Sequence, residues 1–113
     1  MGVFADEDAI RALKPDMAAL VRDIGKAVLV TAPGRDCDFV SRYFAPHGGI
    51  PEDPVTGSAH CVLIPYWAKR LGKARLLARQ LSARGGELAC EDRGARVGIS
   101  GRAALYMEGA IYV

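Results

Sequence analysis

The chain has 113 residues, half of them apolar and a quarter charged, and its 15 basic against 13 acidic side chains leave a formal net charge of +2. A chain of this size buries roughly two-thirds of its unfolded surface around one core, which excludes disordered, collagenous and disulfide-stapled classes. Near-balanced charge, with no like-charge run longer than Asp6-Glu7-Asp8, excludes an electrostatic binder of nucleic acid or membrane surfaces, and no apolar stretch approaches the roughly 20 residues of a membrane span.

The residues from Met1 to Asp8 are acidic and lack the basic start and apolar core of a secretory leader, so a cytoplasmic location is expected. Asp6-Glu7-Asp8 offers cap candidates and negative charge for a helix at about 6–14, with Ala9, Ile10 and Leu13 on one face and Pro15 as its end. Pro15 suits the first turn of a second short helix carrying Met17, Leu20, Val21 and Ile24, closed by Gly25. The β-branched run Ala27–Thr31 and the run Cys37–Phe44 read as strands joined through Pro33-Gly34. Residues 45–58, with three prolines and three glycines, form a structured loop too particular to be a linker.

Residues 59–71 are helix-length and apolar all round their first two turns, through Val62, Leu63, Ile64, Tyr66, Trp67, Ala68 and Leu71. Such a helix is expected to be enclosed on every side, kinked or shifted in register at Pro65 and stopped at Gly72. Four β-like runs follow at 74–83, 86–91, 95–100 and 102–113, separated by Arg84-Gly85-Gly86, Asp92-Arg93-Gly94 and Ser100-Gly101. Their Gly-rich spacing predicts a hairpin meander. The fold class is α+β: one domain over 1–113, with short helices in 1–25, strands in 26–44, the loop 45–58, the central helix 59–71 and the meander 74–113. A curled, mostly antiparallel, barrel-like sheet is expected to surround the central helix.

The loop Phe44–His60 carries the chemistry. A Gly57-Ser58 step feeding a helix leaves backbone amides pointing into the loop at the positive end of the helix dipole, a place suited to carboxylate or phosphate. Asp53, five residues before Ser58, brings a carboxyl group near that place; beside a bound anion it would hold its proton and serve as a general acid or base. The alternative is purely architectural: Thr56 or Ser58 caps the helix and Asp53 closes a turn before Pro54. No lysine follows Gly57, so a nucleotide-binding P-loop is disfavoured.

His47 and His60 lack a well-spaced third ligand, so no metal site is expected, and His60 reads as a core or cleft-rim residue. Tyr66 and Trp67 read as core, because no basic stripe flanks them. Arg42 and Arg96 could steer an acidic substrate, although solvation at the surface is the role expected of most of the arginines. The odd number of widely spaced cysteines, Cys37, Cys61 and Cys90, fits reduced thiols, with Cys37 and Cys90 as buried small hydrophobes.

The stretch Arg42-Tyr43-Phe44-Ala45-Pro46 through Glu52-Asp53-Pro54-Val55-Thr56-Gly57-Ser58-Ala59-His60 is followed by Leu63, Pro65-Tyr66-Trp67-Ala68, Leu71-Gly72-Lys73, Gln80, Ser82, Arg84-Gly85-Gly86 and Arg96-Val97. Together these closely resemble the C-terminal half of the phenazine-biosynthesis PhzF-like family, over about Gly25 to Gly109. The resemblance implies a diaminopimelate epimerase-like fold: two similar halves, each a barrel-like sheet around a helix, with the active site in the cleft between them. The best-known member of that family isomerises a dihydro-hydroxyanthranilate by moving a proton, without cofactor or metal. For this chain the resemblance implies a catalytic Asp53 lining the cleft, a substrate carboxylate held by the amides of Gly57 and Ser58, and Thr56 and His60 as further substrate-binding residues. Related epimerases carry a catalytic cysteine in the corresponding loop, but Cys61 falls within the helix and is not read as that nucleophile.

The family's principal base is a glutamate in a Ser-Glu-Thr-like motif of the N-terminal half, which also carries a Gly-(His/Asn)-Pro loop. Neither motif is present, and of Glu7, Glu52, Glu87, Glu91 and Glu108 only Glu52 belongs to the motif loop. The expectation is therefore an isomerase or epimerase of a small carboxylate that needs an N-terminal-half partner to complete its cleft. A homodimer imitating the two halves is the alternative route to a cleft, and a catalytically inactive anion-binding or regulatory module the alternative function.

Overall fold

The computed structural model describes residues 1–113. Two aspartates open its first helices: the Asp6 carboxylate accepts from the Ala9 amide at 2.8 Å, and that of Asp16 from the Ala19 amide at 3.0 Å. These helices are α1 (Glu7–Ala12) and α2 (Met17–Ala19), the second continuing as one π-helical turn, Leu20–Ile24, before Gly25 ends it with φ 60°. The remaining elements are strands β1 (Gly2–Val3), β2 (Val28–Pro33), β3 (Phe39–Ala45) and β4 (Ile50–Glu52), helix α3 (Gly57–Leu71), and strands β5 (Arg75–Gln80), β6 (Gly86–Asp92) and β7 (Val97–Ser100).

All seven strands join one sheet in the order β1-β2-β3-β5-β6-β7, with β4 pairing on β3. The β1–β2 and β3–β5 pairs are parallel and the other four antiparallel. Parallel neighbours need a crossover, and between β3 and β5 it is supplied by the motif loop and α3.

Side-chain alternation explains how helices cover the sheet. Leu29 and Phe39 join Leu76, Ala78, Leu88 and Cys90 beneath Leu63, Ile64 and Trp67 of α3. Val30, Ala32, Val40 and Phe44 instead meet Ile10 of α1 on the opposite face. Strands β2 and β3 are thus covered on both sides, whereas β5 and β6 bury one side only. Trp67 stacks on Phe39 with ring centroids 5.7 Å apart, and its Nε1–H donates to Thr31 Oγ1 at 2.9 Å, so its single polar atom is satisfied.

Three expectations are corrected. The sheet is open and does not close into a barrel, since β1 and β7 are its two unjoined edges. Nor is α3 enclosed on every side: Ala59, His60, Leu63, Ile64, Trp67 and Ala68 form one buried stripe at helical spacing, while Cys61, Val62 and Pro65 are exposed. Pro65 therefore lies on the solvent side, where the Cys61 carbonyl that loses its amide donor is within reach of water, and the helix continues through it. Finally, no strand forms over 102–113; residues 101–113 carry no regular structure and are exposed, because no neighbouring strand offers them a ladder. The radius of gyration of the chain is 15.8 Å, against about 13 Å for a compact chain of this length. No helix is long and apolar enough to cross a membrane.

Candidate active site at the entrance to the long helix

The motif loop leaves β3 through a 3-10 turn, Pro46–Gly48, reverses at Gly49 with φ 82°, and returns as β4 alongside the strand it came from. The Asp53 amide extends that pairing by donating to the Tyr43 carbonyl at 2.9 Å. Arg42 braces the turn from below. Its guanidinium meets both carboxylate oxygens of Glu52 at 2.7 and 2.9 Å, and its third nitrogen donates to the Ile10 and Leu13 carbonyls at 3.1 and 2.9 Å. This bidentate, half-buried pair ties β4 to the end of α1. Arg42 is neither a solvated surface charge nor free to steer a substrate, because the scaffold occupies its whole guanidinium.

Beyond Asp53 the chain is held by Gln80, the last residue of β5, which is 1% exposed. Its Oε1 accepts from the Thr56 amide at 2.8 Å, and its Nε2 donates to the Asp53 carbonyl at 2.7 Å and to Thr56 Oγ1 at 3.1 Å. The Thr56 hydroxyl in turn donates to Asp53 Oδ2 at 2.5 Å. Ser82 adds a contact from its hydroxyl to the Pro54 carbonyl at 2.8 Å. Gly86, at the start of β6, lies so close to Val55 that a methyl group there would overlap the valine Cγ2.

These bonds bear on the capping role expected of Thr56. It is the N-cap of α3 by position, yet its side chain makes no capping bond and is turned to Asp53. Ser58, inside the first turn, does not cap either, and Gly57 and Ser58 are exposed. The helix entrance thus presents amides at the positive end of its dipole, with the Asp53 carboxylate three residues before Thr56. Asp53 and Thr56 meet directly, and Gly57 and Ser58 follow as the exposed first residues of α3. His60 does not join them at the surface. It is fully buried, its Nδ1 2.8 Å from the Thr56 carbonyl and its ring centroid 6.0 Å from that of Phe39. Because a carbonyl can only accept, Nδ1 carries the proton, and Nε2 is left without a partner. Burial holds this imidazole below its ordinary value, the bond to Thr56 partly opposing.

Gln80 holds the loop that carries Asp53, a role its place in the sequence did not reveal. Its signal was available: Leu76, Ala78 and Gln80 alternate inward along β5, so the third of them is a polar group at a core position. Gly57 and Ser58 are exposed and Asp53 is part-buried, so the site faces solvent. No three His, Cys, Asp or Glu side chains converge as a metal site requires.

The sequence profile described as phenazine biosynthesis-like protein, PhzC-PhzF, matches residues 1–109. An uncharacterized isomerase of Pseudomonas aeruginosa is 60% identical over 105 residues, covering 93% of this chain and 40% of that protein. The human phenazine biosynthesis-like domain-containing protein is 56% identical over 75 residues, 66% of this chain and 26% of that one. The crystal structure of a PhzF-family phenazine biosynthesis protein from Enterococcus faecalis superposes with a TM-score of 0.87 at 50% identity, and that of a PhzC/PhzF protein from Clostridium difficile with 0.86 at 46%. Each superposition covers 98% of this chain and 43% of the other. The chain spans about two-fifths of the length of the bacterial relatives it matches.

Proposed function

This chain belongs to the PhzC-PhzF family of phenazine biosynthesis-like proteins, and from that premise we propose that it supplies one wall of an isomerase site for a small carboxylate substrate. Asp53 handles a proton at the reacting carbon, and the amides of Gly57 and Ser58 hold the substrate carboxylate. The observation that carries this reading is the Asp53 carboxylate, oriented by Thr56 and fixed through Gln80, standing beside a helix entrance that no side chain caps. A group positioned in this way loses little freedom when substrate arrives, which is what general acid–base catalysis requires of it. Thr56 acts as a positioning residue for Asp53, and His60 supports the same turn from behind through the Thr56 carbonyl.

The opposite wall comes from a second polypeptide segment corresponding to the part of the relatives beyond this chain, which supplies the principal base. A proton removed on one side of the substrate and returned on the other gives net isomerisation without oxidation or group transfer. The test joins this chain to that missing segment from the Pseudomonas relative and follows deuterium incorporation from heavy water into a dihydro-hydroxyanthranilate. Exchange is expected in the completed protein. Asp53→Asn should lower it by about a hundredfold or more while leaving thermal melting within a few degrees. Undiminished exchange in that variant would overturn the role of Asp53.

A further inference from the structure

Beneath α3 the sheet carries a row of polar side chains. Strand register sets Thr31 of β2 beside Ser41 of β3, and Ser41 beside Gln80 of β5, so the three stand next to one another on adjacent strands. His60 of α3 lies over the same strands, its ring against Phe39, which precedes Ser41 by two residues and so shares its face. All four polar side chains are at most 1% exposed. A polar atom withdrawn this far from water must find its hydrogen bonds inside the protein.

The two ends of the row do so. Thr31 Oγ1 donates to the Val40 carbonyl at 2.7 Å and accepts from Trp67 Nε1. Gln80 uses both ends of its amide on the turn that carries Asp53 and Thr56. The middle of the row does not. Ser41 Oγ and His60 Nε2 are the two buried side-chain polar atoms of the chain that have no partner, and they do not bond to each other. They belong to facing elements, one on the strand and one on the helix that covers it. Their chemistry is complementary to one small molecule. With the proton on Nδ1, Nε2 can only accept, while the serine hydroxyl can donate or accept.

We propose that a single water molecule is bound between Ser41 Oγ and His60 Nε2, donating to the imidazole nitrogen and accepting from the serine hydroxyl. Buried waters of this kind occupy polar enclosures and bond to groups that the fold leaves otherwise unsatisfied. The water fixes the imidazole from behind, so that Nδ1 stays aimed at the Thr56 carbonyl 2.8 Å away. Thr56 is then held at its amide by Gln80 and at its carbonyl by His60, leaving its hydroxyl to Asp53. The site stands whether or not Asp53 handles a proton, because every group in it belongs to the interior of this chain.

A crystal structure of the unaltered 113-residue chain, refined with its ordered solvent, tests the site directly. One water is expected within about 3.2 Å of both atoms. No solvent density between them, or a serine hydroxyl bonded directly to Nε2, would overturn the proposal. A double-mutant cycle in urea supplies the second measurement. Ser41→Ala is expected to raise the unfolding equilibrium constant about tenfold in the unaltered chain, and less than about twofold where His60→Phe has already removed the acceptor. Equal effects in the two backgrounds would mean that the residues share no bridge, and would overturn it as well. Should His60→Phe fail to fold, the solvent structure of the unaltered chain decides alone.

Discussion

Arg79 and Gln80 are consecutive on β5, and the pleat sends them to opposite faces of the sheet. Both make polar contacts. Gln80 is enclosed and makes three hydrogen bonds to the turn that carries Asp53 and Thr56. Arg79 lies on the face that no helix covers and meets Glu87 of β6 at 3.3 Å, both side chains about two-fifths exposed. On the open face water competes for each charge, and the pair exchanges one set of good contacts for another. On the enclosed face no water stands ready, so losing one partner strands the other. The lesson is that the value of a polar contact here is set by which way the strand turns it, and the candidate site is built on the side where the contacts matter.

The contrast can be broken at three depths. Gln80→Leu keeps the shape but leaves the Thr56 amide without its acceptor, and it is expected to cost about 2–3 kcal/mol in urea denaturation. A loss below about 0.5 kcal/mol would mean that the turn is held by its other contacts. The next effect is conditional on pH. Since burial keeps His60 below its ordinary 6.5, the unfolded chain binds a proton that the folded chain refuses. Stability is therefore complete above about pH 6.5 and declines as pH falls from there through the lower folded value. Denaturation midpoints at pH 7.5 and 5.5 should show this decline, and His60→Phe should flatten it. Smallest is Arg79→Ala, expected to change stability by no more than about 0.5 kcal/mol. An effect comparable to that of Gln80→Leu would show that the open face is covered in solution.

The order of elements was legible because each had its own punctuation: Asp6 and Asp16 as caps, Gly25 and Gly72 as stops, Gly-rich turns between the strands. The motif loop was legible as the turn that opens α3, but the direction of the Thr56 side chain was not, since capping and bonding to Asp53 use the same hydroxyl. Enclosure of α3 was overestimated because apolar residues on its outer stripe, Cys61, Val62 and Pro65, look like core when only composition is counted. The 102–113 run has strand chemistry in its sequence, yet a strand exists only with a neighbour, and no pattern within one segment reports whether the neighbour is present. Gln80 was overlooked for a related reason, because its importance lies in partners 24 and 27 residues away.

The close approach of Gly86 to Val55 carries a consequence for how this sequence can drift. One residue stands on the loop and the other on a distant strand, and together they share a fixed volume. A side chain at 86 has room only if the one at 55 shrinks. Across descendants of this chain the two positions should vary as a pair, with their summed bulk conserved more tightly than either identity, a trace of the loop's height above the sheet written into lineage rather than chemistry.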